Sequence, residues 1–539
     1  MTDRQESPSL TADCYPITVV PGLHQLFLDY CSGAAAVRPF YASLPPDTDW
    51  QKKPSVPTLW PQLVSLLAGQ NPAPSASATL EALRQGAGVV VTGQQVGLFG
   101  GPLFTPFKAA TALARARQAT ATGQPHVAIF WLASEDHDFA EINHYTFPDG
   151  DLSRKVVYSD IPQVPRPVGG IVLGDEIVSL LDQAGGLADE DVLTAAYRPG
   201  RTFAQAFADY YSKVFAAQGL LVLDASSREF HRMGSPVLRA AIERADELHA
   251  ALVDRNRELE AAGYEAQVSV APQSSLLFLI DALSGARLAL KRHTPTAQEP
   301  EGLWQAGRQS YTTADLLGIL DTEPERISPS ALLRPVFQDF LLSTSLVIGG
   351  PAEIAYFAQS AVLYERILGY KTAIQPRLSA TLIAPATGSQ LRNYELTPDR
   401  VFGQSADSLA QLLAARAMPV EGKQKLAAAG NALDTELDAL LKWTHMLDAG
   451  LGQSADTAAG KMRHQMNRLR QLTANFQLQR ETKISRHAGE IVTALYPGGV
   501  LQERVYGAAY YFMVYGFELA EELTKQAANS CPGHTALWL

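Results

Sequence analysis

The sequence predicts an α/β fold: a parallel sheet core covered by helices and interrupted by insertions, followed by an antiparallel helical coiled coil. Three observations carry this. A strand, a glycine-rich turn, a helix and another strand follow one another within residues 88–132. A second strand–glycine–helix junction stands at residues 345–368. From 406 to 495 glycine and proline thin out, and apolar residues take four-and-three spacing. Two buried strands joined by a helical crossover run parallel, and a parallel sheet needs both faces covered.

The first ~85 residues, rich in Pro, Ser and Ala, read as a wrapping segment with short helices and irregular pieces (PSVPTLWPQ, NPAPSASAT). The β-branched run 88–92 is a buried strand. The turn GQQVGLFGGP follows, then a helix over 103–118 with Pro102 near its first turn, then the strand VAIFWL at 127–132. Residues 201–218 read as a helix, 220–223 as a strand and 236–262 as one long helix. Strands at 276–281 and 287–290 pair across Ser284-Gly285. Strand 345–348 turns through Gly349-Gly350-Pro351 into a helix reaching about 368. The coiled-coil seam is expected along Leu433, Leu437, Leu440, Thr444, Leu447 and Leu451. After a turn at 450–454 it returns along Met462, Met466, Leu469, Thr473 and Phe476. The expected division is a core over 1–390, with insertions at about 149–200 and 285–330, a helical arm over 391–495, and a segment over 496–539 that returns to the core.

Composition narrows the function. The 539 residues are 46% hydrophobic and 18% charged, a globular balance. A net charge of −11 supplies no global positive field for phosphate backbones, so nucleic acid is not expected as a partner. No run approaches the ~20 apolar residues of a membrane span, and the N-terminus shows no secretory signal. The three cysteines, Cys14, Cys31 and Cys531, have spacings that suggest neither a disulfide framework nor a zinc site and fit a reducing compartment, so a cytoplasmic protein is expected.

Three places carry candidate chemistry. In the turn, Gly93, Gln94, Gln95, Gly97, Gly100 and Gly101 could bring backbone N–H groups to an anion at a helix N-terminus, and Lys108 could reach the same anion. The spacing is neither GxGxxG nor GxxxxGK[ST]. After the next strand, Glu135, Asp136, His137, Asp138, Glu141, Asn143 and His144 crowd acids and imidazoles where open α/β sheets bind ligands. If helical from Asp138, His137, Glu141 and His144 share one face. Acid/base work, an ammonium site, a metal site and a plain helix-start acid cluster all suit that pattern. At the second junction, Gly350, Glu353, Tyr356 and Arg377 could face the same cleft.

Four segments in order, TGQQVGLFGGPLFTPFK, FWLASEDHDFAEINH, RPVFQDFLLSTSLVIGGPAEIAYFAQ and LQERVYG, resemble the bacillithiol-synthesis cysteine ligase family, BshC. The resemblance implies a Rossmann-like core related to class I synthetase-like nucleotidyltransferases, with connecting insertions and a coiled coil that forms a homodimer. It implies a ligase joining cysteine to the amine of glucosaminyl-malate, the last step of bacillithiol assembly. A carboxylate is a poor acyl donor, so ATP with Mg²⁺ is the expected co-substrate. By analogy with class I ligases, the glycine turn would bind phosphate or carboxylate, with Lys108 offsetting charge. Asp136 and Asp138 would hold an ammonium or Mg²⁺, and His137 and His144 would move protons or stabilise the transition state. No resident metal is assigned. Two rival readings are a metal-dependent hydrolase built on the Glu135–Asp138 cluster and a non-catalytic dimeric scaffold with a ligase-like fold.

Overall fold

Val89, Val90 and Val91 are each at most 1% exposed, as a strand covered on both faces requires. They lie in strand Gly88–Gln94 (β1) of a computed structural model that describes residues 10–45, 59–150, 152–184, 190–293, 303–480, 482–529 and 531–539. Part of one expected irregular piece, residues 54–58, lies outside these. The chain divides into two compact units. The larger comprises 1–147, 154–381 and 503–537, and the smaller 148–153, 382–502 and 538–539.

The larger unit is built on a five-stranded sheet. Its other strands are His126–Leu132 (β2), Leu221–Asp224 (β3), Thr344–Gly349 (β4) and Ala373–Pro376 (β5). The order is β5-β4-β1-β2-β3 and every pairing is parallel. The winding therefore reverses between β1 and β4, and the ends of these two strands form the topological switch point where such sheets bind ligands. This is the Rossmann-like core that the strand–glycine–helix junctions predict.

Helix Phe104–Ala121 (α1) crosses from β1 to β2. Buried alanines 109, 110, 112, 114, 116 and 119 let it be enclosed on nearly every side. Phe203–Val214 (α2) opens with a capping box between Thr202 and Gln205. The single helix expected over 236–262 is two, Arg228–Glu243 (α3) and Ala245–Ala261 (α4). They break at Arg244 (φ −111°, ψ 26°), whose guanidinium holds Glu247 and the Arg366 carbonyl instead of continuing one rod. Arg334–Leu342 (α5) leads into β4, and Pro351–Ile367 (α6) leaves it. The strands Ser274–Ile280 and Arg287–Arg292 pair antiparallel, within a separate five-stranded sheet completed by Trp304–Ala306, Gln309–Tyr311 and Ile327–Pro329.

The cysteine expectation needs correction. Strand His534–Trp538 lies between Thr11–Tyr15 and Ser379–Ile383, so the chain ends meet. Cys14 and Cys531, 517 positions apart, form a disulfide there, while Cys31 stays free. Linear spacing carries no trace of a bond that strand pairing creates.

In the smaller unit, Val420–Leu447 (α7) and Ala449–Arg480 (α8) form an antiparallel pair. Arg463 bridges Asp434 and Asp438, and His445 meets Asp456. The reversal sits at Asp448, earlier than the expected glycine stretch, with the Asp448 carboxylate accepting from the Leu451 N–H. The seam is also shifted. Gly430, Leu437 and Thr444 are buried, as are the small Gly452, Ala459 and Ala474 on α8. Leu440, Leu447, Leu451, Met462, Leu469 and Phe476, assigned to the seam from spacing, are 46–59% exposed. Close approach at small residues decides which stripe faces inward.

Candidate active site

The turn after β1 is a locked structure. Phe99 (φ 49°), Gly100 (φ 82°) and Gly101 (φ 69°) occupy positive φ, and a side chain at Gly100 would run into the Tyr210 ring. Tyr197 donates to the Gly97 carbonyl and accepts from the Gly100 N–H, and Tyr211 donates to the Gly100 carbonyl. The Gly97 and Gly101 N–H groups bond Gln95 and Leu98 carbonyls. These amides are spent inside the fold, so Gly97, Gly100 and Gly101 build the turn and do not cradle an anion. Gly93 serves close packing, since a Cβ there would lie 2.8 Å from the Trp131 carbonyl oxygen.

Lys108 is likewise committed. Its ammonium contacts Glu353, donates to the Gly93 carbonyl at 2.8 Å and to Gln94 Oε1 at 3.0 Å. Three N–H donors meet three acceptors, so Lys108 is a buried strut between the end of β1 and the start of α6. Burial pulls its pKa below the usual lysine value, against the pull of Glu353. Glu353 also accepts from the Gly350 N–H and so caps α6.

The end of β4 is different. Arg377 makes a two-pronged pair with Glu503, at 3.0 and 2.6 Å, and both side chains are at most 4% exposed. Its Nε is buried, has no hydrogen-bond partner among the described residues, and lies 3.7 Å from where a Cβ on Gly350 would stand. Half-buried Arg334 donates to the Tyr356 hydroxyl at 2.7 Å and feels Glu353. Lys108 feels both Arg334 and Arg377. Three cations, Lys108, Arg334 and Arg377, thus surround the switch point against two carboxylates, Glu353 and Glu503. The surplus positive charge and the open donor suit an anion. Gly350, Glu353, Tyr356 and Arg377 are brought together as expected, with Arg334 and Glu503 added.

The acidic cluster after β2 splits by partner. Glu135 contacts His231 Nε2 at 2.9 Å, and His231 Nδ1 faces the Ile327 carbonyl at 2.9 Å. Burial would lower the His231 pKa, but Glu135 and the carbonyls of Ile327 and Pro324 outweigh it and hold it above the ordinary value. Asp136 accepts from Gln95 Nε2 at 2.5 Å, and the same nitrogen reaches Glu141 at 2.7 Å. Arg287 donates through Nη1 to His137 Nδ1 at 3.0 Å and stacks on Phe278, 3.8 Å from the ring centre. Asp138 is an exposed N-cap, accepting from the Glu141 N–H.

The helical stripe expected through His137, Glu141 and His144 does not form. The helix is only Phe139–Ile142, and His144 begins a strand, its Nδ1 on the Ala140 carbonyl beside Lys155. Asn143 is buried and spends its amide on the Tyr158 carbonyl, so it joins strands. Among the described residues no three His, Cys, Asp or Glu side chains converge as a metal donor set. Arg287 went unremarked in the sequence, because in RLALKR, with three charged residues of six, nothing marks which arginine the fold will bury. Asp224, at the end of β3, accepts from Ser134 Oγ at 2.6 Å and likewise left no signal.

A Rossmann-like sheet with a charged switch point, carried on a chain with an antiparallel helical coiled coil, defines the class. The family models sharpen it. The N-terminal Rossmann-like domain of bacillithiol biosynthesis BshC matches residues 11–378, and its C-terminal coiled-coil domain matches 380–539. The chain belongs to the BshC family. A relative from Koribacter versatilis is 40% identical over 97% of this chain and 99% of its own. One from Solibacter usitatus is 32% identical over 88% of each chain, and one from Salinibacter ruber 29% over 96% and 97%. All three carry the name "Putative cysteine ligase BshC".

Proposed function

We propose that the protein is an ATP-dependent ligase that joins the carboxyl group of cysteine to the amine of glucosaminyl-malate, the last step of bacillithiol synthesis. The observation that carries this reading is the buried, unpaired Arg377 Nε beside Gly350, in a switch point where three cations face two carboxylates. An anionic phosphate or carboxylate group is what such a place attracts. The family supplies the reaction class, since its relatives are named as cysteine ligases.

In this reading Arg334, Arg377 and the start of α6 hold the anion undergoing activation. Asp136 and Glu141, already sharing Gln95, supply negative charge for an ammonium or for the Mg²⁺ that travels with ATP. The cysteine carboxylate oxygen attacks a phosphorus of ATP, and a phosphate-containing group leaves. The amine then attacks the activated carbonyl, and the bond from carbon to the phosphate-bearing oxygen breaks. The phosphate-containing group leaves with the electron pair, and the nitrogen loses a proton as the amide forms. With Arg287 donating to its Nδ1, a neutral His137 carries its proton on Nε2, the form that donates to a developing charge. The setting would be the cytoplasm, where ATP and free cysteine are found, and the active form a homodimer paired through the coiled coil.

The test is reconstitution with ATP, Mg²⁺, cysteine and glucosaminyl-malate, following the amide product together with AMP and ADP. Arg334→Gln should raise KM for an anionic substrate by roughly ten- to a hundredfold, the worth of one charge-assisted hydrogen bond. Absence of turnover in the unmodified protein, or an unchanged KM in the variant, defeats the reading.

A further inference from the structure

A second concave site, a cavity of about 770 Å³, shares Arg377 with the switch point and extends to the disulfide. Its wall includes Arg115, Gln118 and Gln375, the free Cys31, and Cys531 of the disulfide. Cys14, the other half of that disulfide, is exposed and is not part of the wall. Arg115 donates to Gln375 at 3.0 Å and to Gln118 at 2.7 Å, both neutral. Burial lowers its pKa, and no acidic group among the described residues offsets that effect. Arg377 also lines the cavity, with its two terminal nitrogens held by Glu503. Among the described residues, the wall thus brings together Arg115, whose hydrogen-bond partners are both neutral, and Cys531, one half of the disulfide.

We propose that this cavity admits a low-molecular-weight thiol bearing a carboxylate, which Arg115 receives, and that the thiol exchanges onto Cys531 and opens the Cys14–Cys531 disulfide. The two cysteines differ in surroundings: Cys531 lines the cavity and Cys14 is exposed. The entering thiolate forms an S–S bond to Cys531 from the cavity side. The Cys531–Cys14 bond breaks, and its electron pair leaves with Cys14 as a thiolate that water can solvate and protonate. One disulfide is consumed and one is made, so no outside oxidant enters. A second thiolate can attack the mixed disulfide, releasing the small disulfide and the Cys531 thiolate. Cys31 does not compete, because burial pushes its thiol up to about 12 and keeps it protonated. Exchange removes the covalent tie between strand Thr11–Tyr15 and the segment before His534–Trp538. None of this depends on the ligase reading.

The experiment uses the full chain purified without reductant and three small thiols at matched thiolate concentration: mercaptoacetate, 2-mercaptoethanol and cysteamine. Intact mass and peptide mapping should show one adduct, on Cys531, formed about tenfold faster by mercaptoacetate than by the neutral thiol, and slowest by cysteamine. Arg115→Gln should abolish the preference and Arg115→Lys should retain part of it. The comparison of thiols on the unmodified chain stands even if a variant fails to fold. Three free thiols in the purified protein, an adduct on Cys14 or Cys31, equal rates for the three thiols, or an unchanged preference in a folded Arg115→Gln chain each overturn the proposal.

Discussion

Replacing Glu503 by glutamine isolates one charge in the buried clamp between the LQERVYG segment and β5. Glu503 accepts from both Arg377 terminal nitrogens, from the Ala380 N–H at 3.0 Å and from Ser379 Oγ at 3.4 Å. Burial alone would raise its pKa, yet Arg377 holds it below the ordinary carboxylate value. Glutamine keeps the shape but turns one acceptor into a donor. If its oxygen serves Ala380 and Arg377 Nη1, its NH₂ faces Nη2, which stands 2.6 Å from the carboxylate oxygen it replaces. Arg377 is then a buried cation without a counter-charge, a loss of about 3–5 kcal/mol. Unfolding entropy is about 2.1 cal/mol/K per residue, so over a unit of roughly 400 residues a 4 kcal/mol loss lowers Tm by about 5 °C. Differential scanning calorimetry reads this directly. The double variant Arg377→Met with Glu503→Leu removes both charges and should recover at least half the loss. A fall of less than 1 °C in the single variant, or a double variant no better than it, refutes the argument.

Further outcomes follow from other contacts. Burial drives the His534 pKa down from 6.5 to about 4, with Ser379 and Thr381 hydroxyls at its two nitrogens. The unfolded chain binds this proton more readily, so about 3 kcal/mol of stability present above pH 6.5 is lost as pH falls towards 4. His534→Asn should flatten denaturant midpoints across that window, and an unchanged slope argues otherwise. Arg287→Met removes the donor at His137 Nδ1, so nitrogen NMR of the histidine should show a tautomer mixture in place of the Nε2–H form. An identical spectrum would place the tautomer's control elsewhere. Leu440→Glu lies on the exposed stripe of α7 and Leu437→Glu inside the hairpin. Sedimentation should give a folded monomer for the first, and circular dichroism should report lost helix for the second; a dimer that persists in Leu440→Glu places the dimer contact off this stripe.

The sheet was legible because its signals are local. Val89–Val91 and VAIFWL are apolar on both faces, and only a covered parallel sheet accepts such runs. The glycines at 97–101 mark a demanding turn, but the amides of Gly97, Gly100 and Gly101 have partners inside the fold. Sequence shows that a residue can take positive φ. It does not show that Tyr197 and Tyr211, a hundred positions away, will occupy the amides and carbonyls so exposed. The coiled-coil stripe holds at Leu437 and Thr444 and misses at Leu440, Leu447, Leu451, Met462, Leu469 and Phe476 for a related reason. Leucine spacing marks two candidate faces, and the choice between them falls to Gly452, Ala459 and Ala474 on the other helix.

The site divides the same way. Spacing found groups of chemical types, and burial then assigned each a partner from far along the chain: Lys108 to Glu353, Arg377 to Glu503, Glu135 to His231, His137 to Arg287. A buried charge costs several kcal/mol unless it is paired, so the fold satisfies as many as it can. What the pairing leaves over is therefore informative. Lys108, the most suggestive residue in the sequence, is fully satisfied and has nothing to offer a ligand without first surrendering a contact. Arg377 is the reverse: two of its nitrogens are held by Glu503, while Nε is buried beside Gly350 with no hydrogen-bond partner among the described residues. A buried donor left unpaired at a switch point has a free-energy cost that a bound anion would relieve, which is why the binding reading rests on Arg377 and not on the lysine.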